Sequence, residues 1–279
     1  MKIIKTVEDV RKIVREWKKE GLSIGLVPTM GYLHEGHQSL IKKAREGNDR
    51  VVVSVFVNPK QFGENEDFDS YPRDIERDSK ICEEAGVDVI FNPEIAEMYD
   101  KFFSSFVNMD TLPNGLCGKS RPIHFKGVCT VVCKLFNIVC PDRAYFGQKD
   151  AQQLAIIKRM VSDLNFDIQI IGCPIVREED GLAKSSRNTY LNDEERSAAV
   201  VLSRSLKIGK ELIENGEKNA EKVISAIKSE INKEKLAKID YVEIVDMNRL
   251  RGVDNIDGPI LAAIAVYIGK TRLIDNFII

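Results

Sequence analysis

Apolar residues recur at helical spacing along Thr6–Glu20, where Val10, Ile13, Val14 and Trp17 share a face. Thr6 and Asp9 resemble a capping box there, and Gly21 supplies a stop. Two short apolar runs follow, Ser23–Val27 and Val51–Val57 (VVVSVFV), with a helix-like stretch, Gly36–Arg45, between them. Runs this short suit buried strands, and strand–helix–strand is the unit of a parallel sheet. The alternation continues. Asp74–Ala85 predicts a helix closed by Gly86, and Val87–Phe91 a strand. Val128–Val139 predicts a largely buried helix, Arg143–Phe146 a short strand, Ala151–Leu164 a helix and Phe166–Ile171 a strand. This order indicates an α/β fold, a doubly wound, Rossmann-like parallel-sheet domain.

After about Val176 the pattern changes. Two long charged helical stretches, Asp193–Asn215 and Asn219–Lys235, precede Tyr241–Val245 and Ile260–Ile268, which have strand character. The expectation is a Rossmann-like domain over residues 1–175 and a smaller C-terminal α+β domain over 176–279. A chain of 279 residues exceeds the usual size of one hydrophobic core, which agrees with two domains.

Composition narrows the function classes. Hydrophobic content of 43% and charged content of 30% fit a soluble globular protein. A net charge of −2 argues against a nucleic-acid binder that relies on bulk charge. The start, MKIIKTVEDV, turns charged before a signal-peptide core can form. No apolar run approaches the roughly 20 residues of a membrane span. The six cysteines (Cys82, Cys117, Cys129, Cys133, Cys140 and Cys173) form no CxxC pair. Cys129 and Cys133 have a spacing two metal ligands could use, but without nearby histidines they read as small buried residues of a reducing cytoplasm.

Four clusters carry candidate chemistry. VPTMGYLHEGHQSL holds two of the three histidines, His34 and His37, where a strand turns into a helix. Ligands of open α/β sheets bind at carboxyl ends of strands, and helix N-termini favour phosphate. A zinc protease needs HExxH, with histidines four apart; HEGH places them three apart around a glycine. A structural role for either histidine stays open at this level. The second cluster, Asn58-Pro-Lys-Gln-Phe-Gly63, leaves Asn58 and Gln61 at the end of the strongest strand, or forms an ordinary polar turn. In the third, Phe146-Gly-Gln-Lys-Asp-Ala-Gln-Gln153, Lys149 suits phosphate, Asp150 a helix cap or Mg²⁺, and Gln153 lies one turn on. The fourth, Arg177-Glu-Glu-Asp-Gly-Leu-Ala-Lys-Ser-Ser-Arg-Asn188, is either a solvated basic loop or one that closes over a polyphosphate.

In this order, PTMGYLHEGH, FVNPKQFG, RPIHFKGVCTVV, YFGQKDAQQ and DGLAKSSRNTYL closely resemble the pantothenate synthetase (pantoate–β-alanine ligase) family of HxGH-type nucleotidyltransferases. The resemblance spans essentially the whole chain and is densest from Val27 to Leu191. It implies that pantoate and β-alanine are joined with ATP through a pantoyl adenylate, releasing pyrophosphate and then AMP. It implies nucleotide contacts at Met30, His34, His37, Gly147, Gln148, Lys149, Asp150, Val176, Lys184, Ser185, Ser186 and Arg187. His37, His34 and Lys149 would be catalytic, with His37 nearest the phosphates as the proton donor. Asn58, Gln61 and Gln153 would bind pantoate, Mg²⁺ would balance the triphosphate, and Asp78 is the candidate metal ligand. The first domain would hold nucleotide and pantoate and the second act as a lid; a cytoplasmic homodimer is also implied. Two positions depart from the family pattern: Ile123 stands for the glycine of RPGHF, and Lys184 for the methionine of AMSSR. The competing readings are another HxGH nucleotidyltransferase, a nucleotide-binding module without catalysis, and a metal-dependent hydrolase using HEGH.

Overall fold

The computed structural model describes residues 1–64 and 66–279. The elements up to residue 174 are β1 (Lys2–Ile4), α1 (Val7–Lys19), β2 (Ile24–Thr29), α2 (Glu35–Gly47), β3 (Arg50–Val55), α3 (Ile75–Glu84), β4 (Val89–Phe91), α4 (Ile95–Met98), α5 (Leu116–Ser120), α6 (His124–Val139), β5 (Arg143–Gly147), α7 (Ala151–Asp163) and β6 (Gln169–Cys173). Then come α8 (Asp193–Ala198), α9 (Val201–Glu214), α10 (Ala220–Ile231), β7 (Ala237–Asp246), β8 (Ile260–Ile268) and β9 (Thr271–Ile278). The chain divides into two compact units. The first holds Met1–Asp110, Arg121–Gln148 and Ile156–Pro174; the second holds Thr111–Ser120, Lys149–Ala155 and Ile175–Ile279.

In the first unit six parallel strands lie in the order β1-β4-β3-β2-β5-β6, so the winding direction reverses between β2 and β5. Leu26, Val27, Val51, Val52 and Val53 are fully buried, as expected of strands covered on both faces. Pro28 sits in a central strand, where a missing N–H would break a ladder. The break falls where it does no harm, because pairing between β2 and β5 covers only Gly25 and Leu26. Beyond that point β2 stays paired with β3 alone, through Thr29.

Several boundaries differ from expectation, for local reasons. At the start of α1, Thr6 Oγ1 accepts from the Asp9 N–H (3.2 Å) and donates to Asp9 Oδ2 (2.6 Å), a side-chain pair in place of the reciprocal capping box. α6 begins at His124, four residues before Val128, and includes Gly127. That glycine marks a close approach: a Cβ there would lie 2.5 Å from the Gln61 N and nearer still to the Lys60 carbonyl oxygen. β1 was not expected; it pairs with β4 at the sheet edge.

The second unit contains an antiparallel sheet, β7-β8-β9, with α9 and α10 supplying Leu202, Leu206, Val223 and Ile227 to its core. The expected helix Asp193–Asn215 is two helices. Ala198, Ala199, Val201 and Leu202 are all buried, and so contiguous an apolar run cannot lie on one stripe of a straight helix. β9 was not anticipated, because Asp275 and Asn276 interrupt its apolar pattern; both are buried.

Candidate active site

β2 delivers the HEGH segment at the carboxyl edge of the first unit's sheet. The turn that follows is tight: Gly31 has φ +86° and Tyr32 φ +52°. Tyr32 is a non-glycine residue in the left-handed region, a conformation that costs about 1–2 kcal/mol and needs support. Asp78, on α3 and only 1% exposed, supplies it. Its Oδ2 accepts from the Tyr32 N–H (2.8 Å) and its Oδ1 from the Leu33 N–H (2.7 Å). The Arg77 guanidinium lies 4.6 Å from the centre of the Tyr32 ring.

His34 is the N-cap of α2. Its Nδ1 accepts from the Gly36 N–H (3.1 Å), and His37 Nδ1 accepts from the His34 N–H (3.3 Å). This is a capping box built from two imidazoles whose ring centres are 4.0 Å apart. A backbone N–H can only donate, so both Nδ1 atoms are acceptors and each neutral ring carries its proton on Nε2. The pair therefore presents two Nε2–H donors beside the positive end of a helix dipole, an arrangement suited to phosphate oxygens.

Asn58 caps a 3₁₀ turn, Pro59–Gln61, just beyond β3, and Gln61 is its last residue. Both are buried. Asn58 Nδ2 donates to Gln61 Oε1 (3.0 Å) and to the Gly127 carbonyl (3.1 Å), and Gln61 Nε2 lies 3.1 Å from Met30 Sδ. The structure thus joins Met30, Asn58 and Gln61 in one network. His124 secures the same turn from α6. Arg121, which can only donate, faces His124 Nε2 at 3.2 Å, so Nδ1–H donates to the Gln61 carbonyl at 3.0 Å. Arg121 is itself paired with Glu66. Ile123 precedes α6 and is largely exposed. Gly147 ends β5 and Gln148 opens the 3₁₀ turn after it, across the winding reversal from β2, where ligands of doubly wound sheets bind.

The remaining predicted residues belong to the second unit. Lys149 is half-buried and Asp150 exposed in the 3₁₀ turn before α7. Gln153 is half-buried, whereas the adjacent Gln152 turns inward and donates to the carbonyls of Leu112 (3.0 Å) and Gly115 (2.9 Å). The KSSR segment follows a short antiparallel hairpin: Arg177 bridges Ala183, and the Lys184 N–H donates to the Val176 carbonyl (2.9 Å). Lys184 Nζ lies 2.6 Å from Glu178 Oε2, so its charge meets a carboxylate of its own hairpin. Ser185 caps the 3₁₀ turn Ser186–Tyr190, accepting from the Arg187 N–H at 3.3 Å.

β9 anchors both of these cationic segments. Asn276 donates to the Lys149 carbonyl (2.8 Å), and Asp275 takes a two-pronged ion pair from Arg177 (2.7 and 3.0 Å). Sequence reading missed Asp275, Asn276 and His124 as supporting residues. For the two on β9, the available clue was an Asp-Asn pair set between the apolar pairs Leu273-Ile274 and Phe277-Ile278.

No group of three or more His, Cys, Asp or Glu that could hold a metal occurs among the described residues. Asp78, the candidate metal ligand, is buried, and each of its oxygens accepts one backbone N–H of the turn before α2. Cys129 is buried, and that burial pushes its thiol up to about 12, as expected of an inert core residue.

A family model described as pantoate–β-alanine ligase matches residues 2–278. Over 277 residues the chain is 65% identical to a pantothenate synthetase of Enterococcus faecalis, covering 99% of this chain and 98% of that one. Identity to a pantothenate synthetase of Clostridium acetobutylicum is 63%, covering 99% of each chain. The crystal structure of a pantothenate synthetase from Thermus thermophilus matches with a TM-score of 0.94 at 43% identity, covering 99% of both chains. A pantoate–β-alanine ligase from Francisella tularensis, crystallised in complex with β-γ ATP and β-alanine, gives a TM-score of 0.81 at 37% identity, covering 99% of this chain and 97% of that one. The likeness runs from one end of the chain to the other in sequence and in fold alike, and the chain belongs to the pantoate–β-alanine ligase family.

Proposed function

We propose that the chain joins pantoate and β-alanine with ATP to give pantothenate, AMP and pyrophosphate. A pantoate carboxylate oxygen attacks the α-phosphorus, the bond to the β-phosphate bridging oxygen breaks, and pyrophosphate leaves. The β-alanine amine then attacks the acyl carbon of the adenylate, AMP departs, and the amine loses a proton. The first step begins from an anion and so needs charge stabilisation more than a base.

The observation that carries this reading is the imidazole capping box. With both Nδ1 atoms occupied by backbone N–H groups, His34 and His37 direct Nε2–H toward the phosphates. A proton given up by His37 would come from Nε2. Met30, Gly147, Gln148, Lys149, Asp150, Val176, Lys184, Ser185, Ser186 and Arg187 complete the nucleotide set. Lys149 and Arg187 supply positive charge to the triphosphate, and Lys184, already paired with Glu178, contributes less. Asn58, Gln61 and Gln153 hold pantoate through amides, which orient the acid without an arginine ion pair that would hold the attacking carboxylate in its ground state.

Mg²⁺ accompanies ATP in this scheme and is held chiefly by phosphate oxygens, as is usual for an ion that keeps several waters. Residues 176–279 serve as a lid that shields the adenylate from water. Six free cysteines support a reducing cytoplasm, and no helix among the described residues is long and apolar enough to cross a membrane. A homodimer completes the reading. The deciding experiment is ATP–pyrophosphate exchange without β-alanine. Exchange that requires pantoate is expected; exchange without pantoate would mean a different acceptor.

A further inference from the structure

Tyr99 lies outside every sequence motif, yet its hydroxyl begins a directional chain of hydrogen bonds ending on Gln61. All its members belong to the first unit. Tyr99 is 6% exposed, and its ring packs edge-on against Phe103 at 4.8 Å. Burial pushes the phenol up, so it stays protonated and can donate. The hydroxyl lies 2.7 Å from Asn58 Oδ1, and the Lys60 N–H points at the same oxygen from 3.3 Å.

Two backbone groups of opposite type settle how the Asn58 amide is turned. The Lys60 N–H can only donate, so the atom facing it is oxygen. The Gly127 carbonyl can only accept, so the atom facing it, 3.1 Å away, is nitrogen. That nitrogen also faces Gln61 at 3.0 Å and therefore meets the Gln61 oxygen. The Gln61 NH₂ is left pointing the other way, toward Met30 Sδ, a weak acceptor that a substrate oxygen would readily displace.

We infer that Tyr99 and Asn58 are a positioning pair that fixes the polarity of Gln61, so that it offers N–H donors to an oxygen of the acid substrate and keeps its carbonyl away. The inference rests on the assignment of Gln61 to pantoate made above. Without the Tyr99 hydroxyl, Asn58 Oδ1 keeps only the longer bond from Lys60, so the Asn58 amide is held less firmly and the two amides turn together more often. A turned Gln61 sets its oxygen against a carboxylate or hydroxyl oxygen, and such a molecule binds pantoate poorly.

The test is steady-state kinetics of Tyr99→Phe, Gln61→Ala and the double variant. Tyr99→Phe keeps the ring and its packing, and a thermal midpoint within about 4 °C of the wild type serves as the control for folding. Loss of one buried hydrogen bond of about 1 kcal/mol predicts a pantoate KM raised roughly 5-fold, with the ATP KM within about 2-fold. In the Gln61→Ala background the same change should have no effect, because Tyr99 acts through Gln61. A Gln61→Ala variant with an unaltered pantoate KM would remove the Gln61 assignment itself, and the inference with it. A weakened Gln61→Ala beside an unaffected Tyr99→Phe would overturn the inference alone. Equal effects of Tyr99→Phe in both backgrounds would also overturn it, since they would mean that the hydroxyl acts on pantoate binding by a route other than Gln61.

Discussion

Replacing Asp78 by Asn should loosen the turn that sets the two histidines. Its oxygens accept from the Tyr32 and Leu33 N–H groups at 2.8 and 2.7 Å. An amide keeps one acceptor and turns a donor toward the other N–H. Each hydrogen bond to a charged group contributes about 1.5–3 kcal/mol, and a buried N–H left unpaired costs about 1–3 kcal/mol. Opposing this, burial raises the Asp78 carboxyl, so removing its charge recovers part of the loss. The balance is about 2 kcal/mol against a turn already holding Tyr32 at φ +52°. Since about 1.4 kcal/mol corresponds to a factor of ten, the ATP KM in pantoate-dependent pyrophosphate exchange should rise by at least ~10-fold. Wild-type ATP dependence in Asp78→Asn would refute the reasoning. Rescue by excess Mg²⁺ or by Mn²⁺ would refute it differently, by making Asp78 a metal ligand.

Gly127→Ala should push the Pro59–Gln61 turn out of place, because the new methyl would lie 2.5 Å from the Gln61 N. A cost of about 1–3 kcal/mol and a raised pantoate KM are expected, checked by urea unfolding and kinetics; normal values would mean that α6 yields instead. Lys184→Met removes a cation that Glu178 already balances at 2.6 Å, so the ATP KM should change less than about 3-fold. A tenfold rise would show that this lysine reaches the phosphates. Glu230, held below its ordinary 4.5 by Lys233 and Arg204, contributes stability that is present above pH 4.5 and lost as pH falls toward its lower folded value, because the unfolded chain takes up the proton first. Urea midpoints measured down that window should fall less steeply in Glu230→Gln; equal slopes would exclude the carboxylate.

The parallel sheet was legible because its strands are buried on both faces and its helices show one apolar stripe. VVVSVFV and Val10–Trp17 carry that information within a few residues. β9 was not, because Asp275 and Asn276 serve Arg177 and Lys149, partners about 100 residues or more away in the chain. The expected start at Val128 fell four residues late for a related reason: the place of Gly127 inside α6 goes with the close approach of the Lys60 and Gln61 backbone. Asp78 entered only through the resemblance, as a candidate metal ligand. Its partners are main-chain N–H groups, which every residue but proline carries, so no pattern of side chains could have named them.

The same main-chain bonds decide what the candidate site can do. Motif matching identifies His34 and His37 but leaves each imidazole free to donate from either nitrogen. The N–H groups of Gly36 and His34 remove that freedom, and those of Tyr32 and Leu33, tied to Asp78, hold the turn on which it depends. Gln61 is constrained in the same way, through Lys60 N–H and Gly127 carbonyl acting on Asn58. In both clusters the backbone sets which side-chain atom accepts and which donates, so the polarity of each group is fixed by the fold itself. A group oriented beforehand needs no reorganisation as charge moves onto the phosphate, which is where such sites gain most. Replacements that keep a motif residue but disturb its backbone partner should therefore impair the reaction nearly as much as loss of the residue itself.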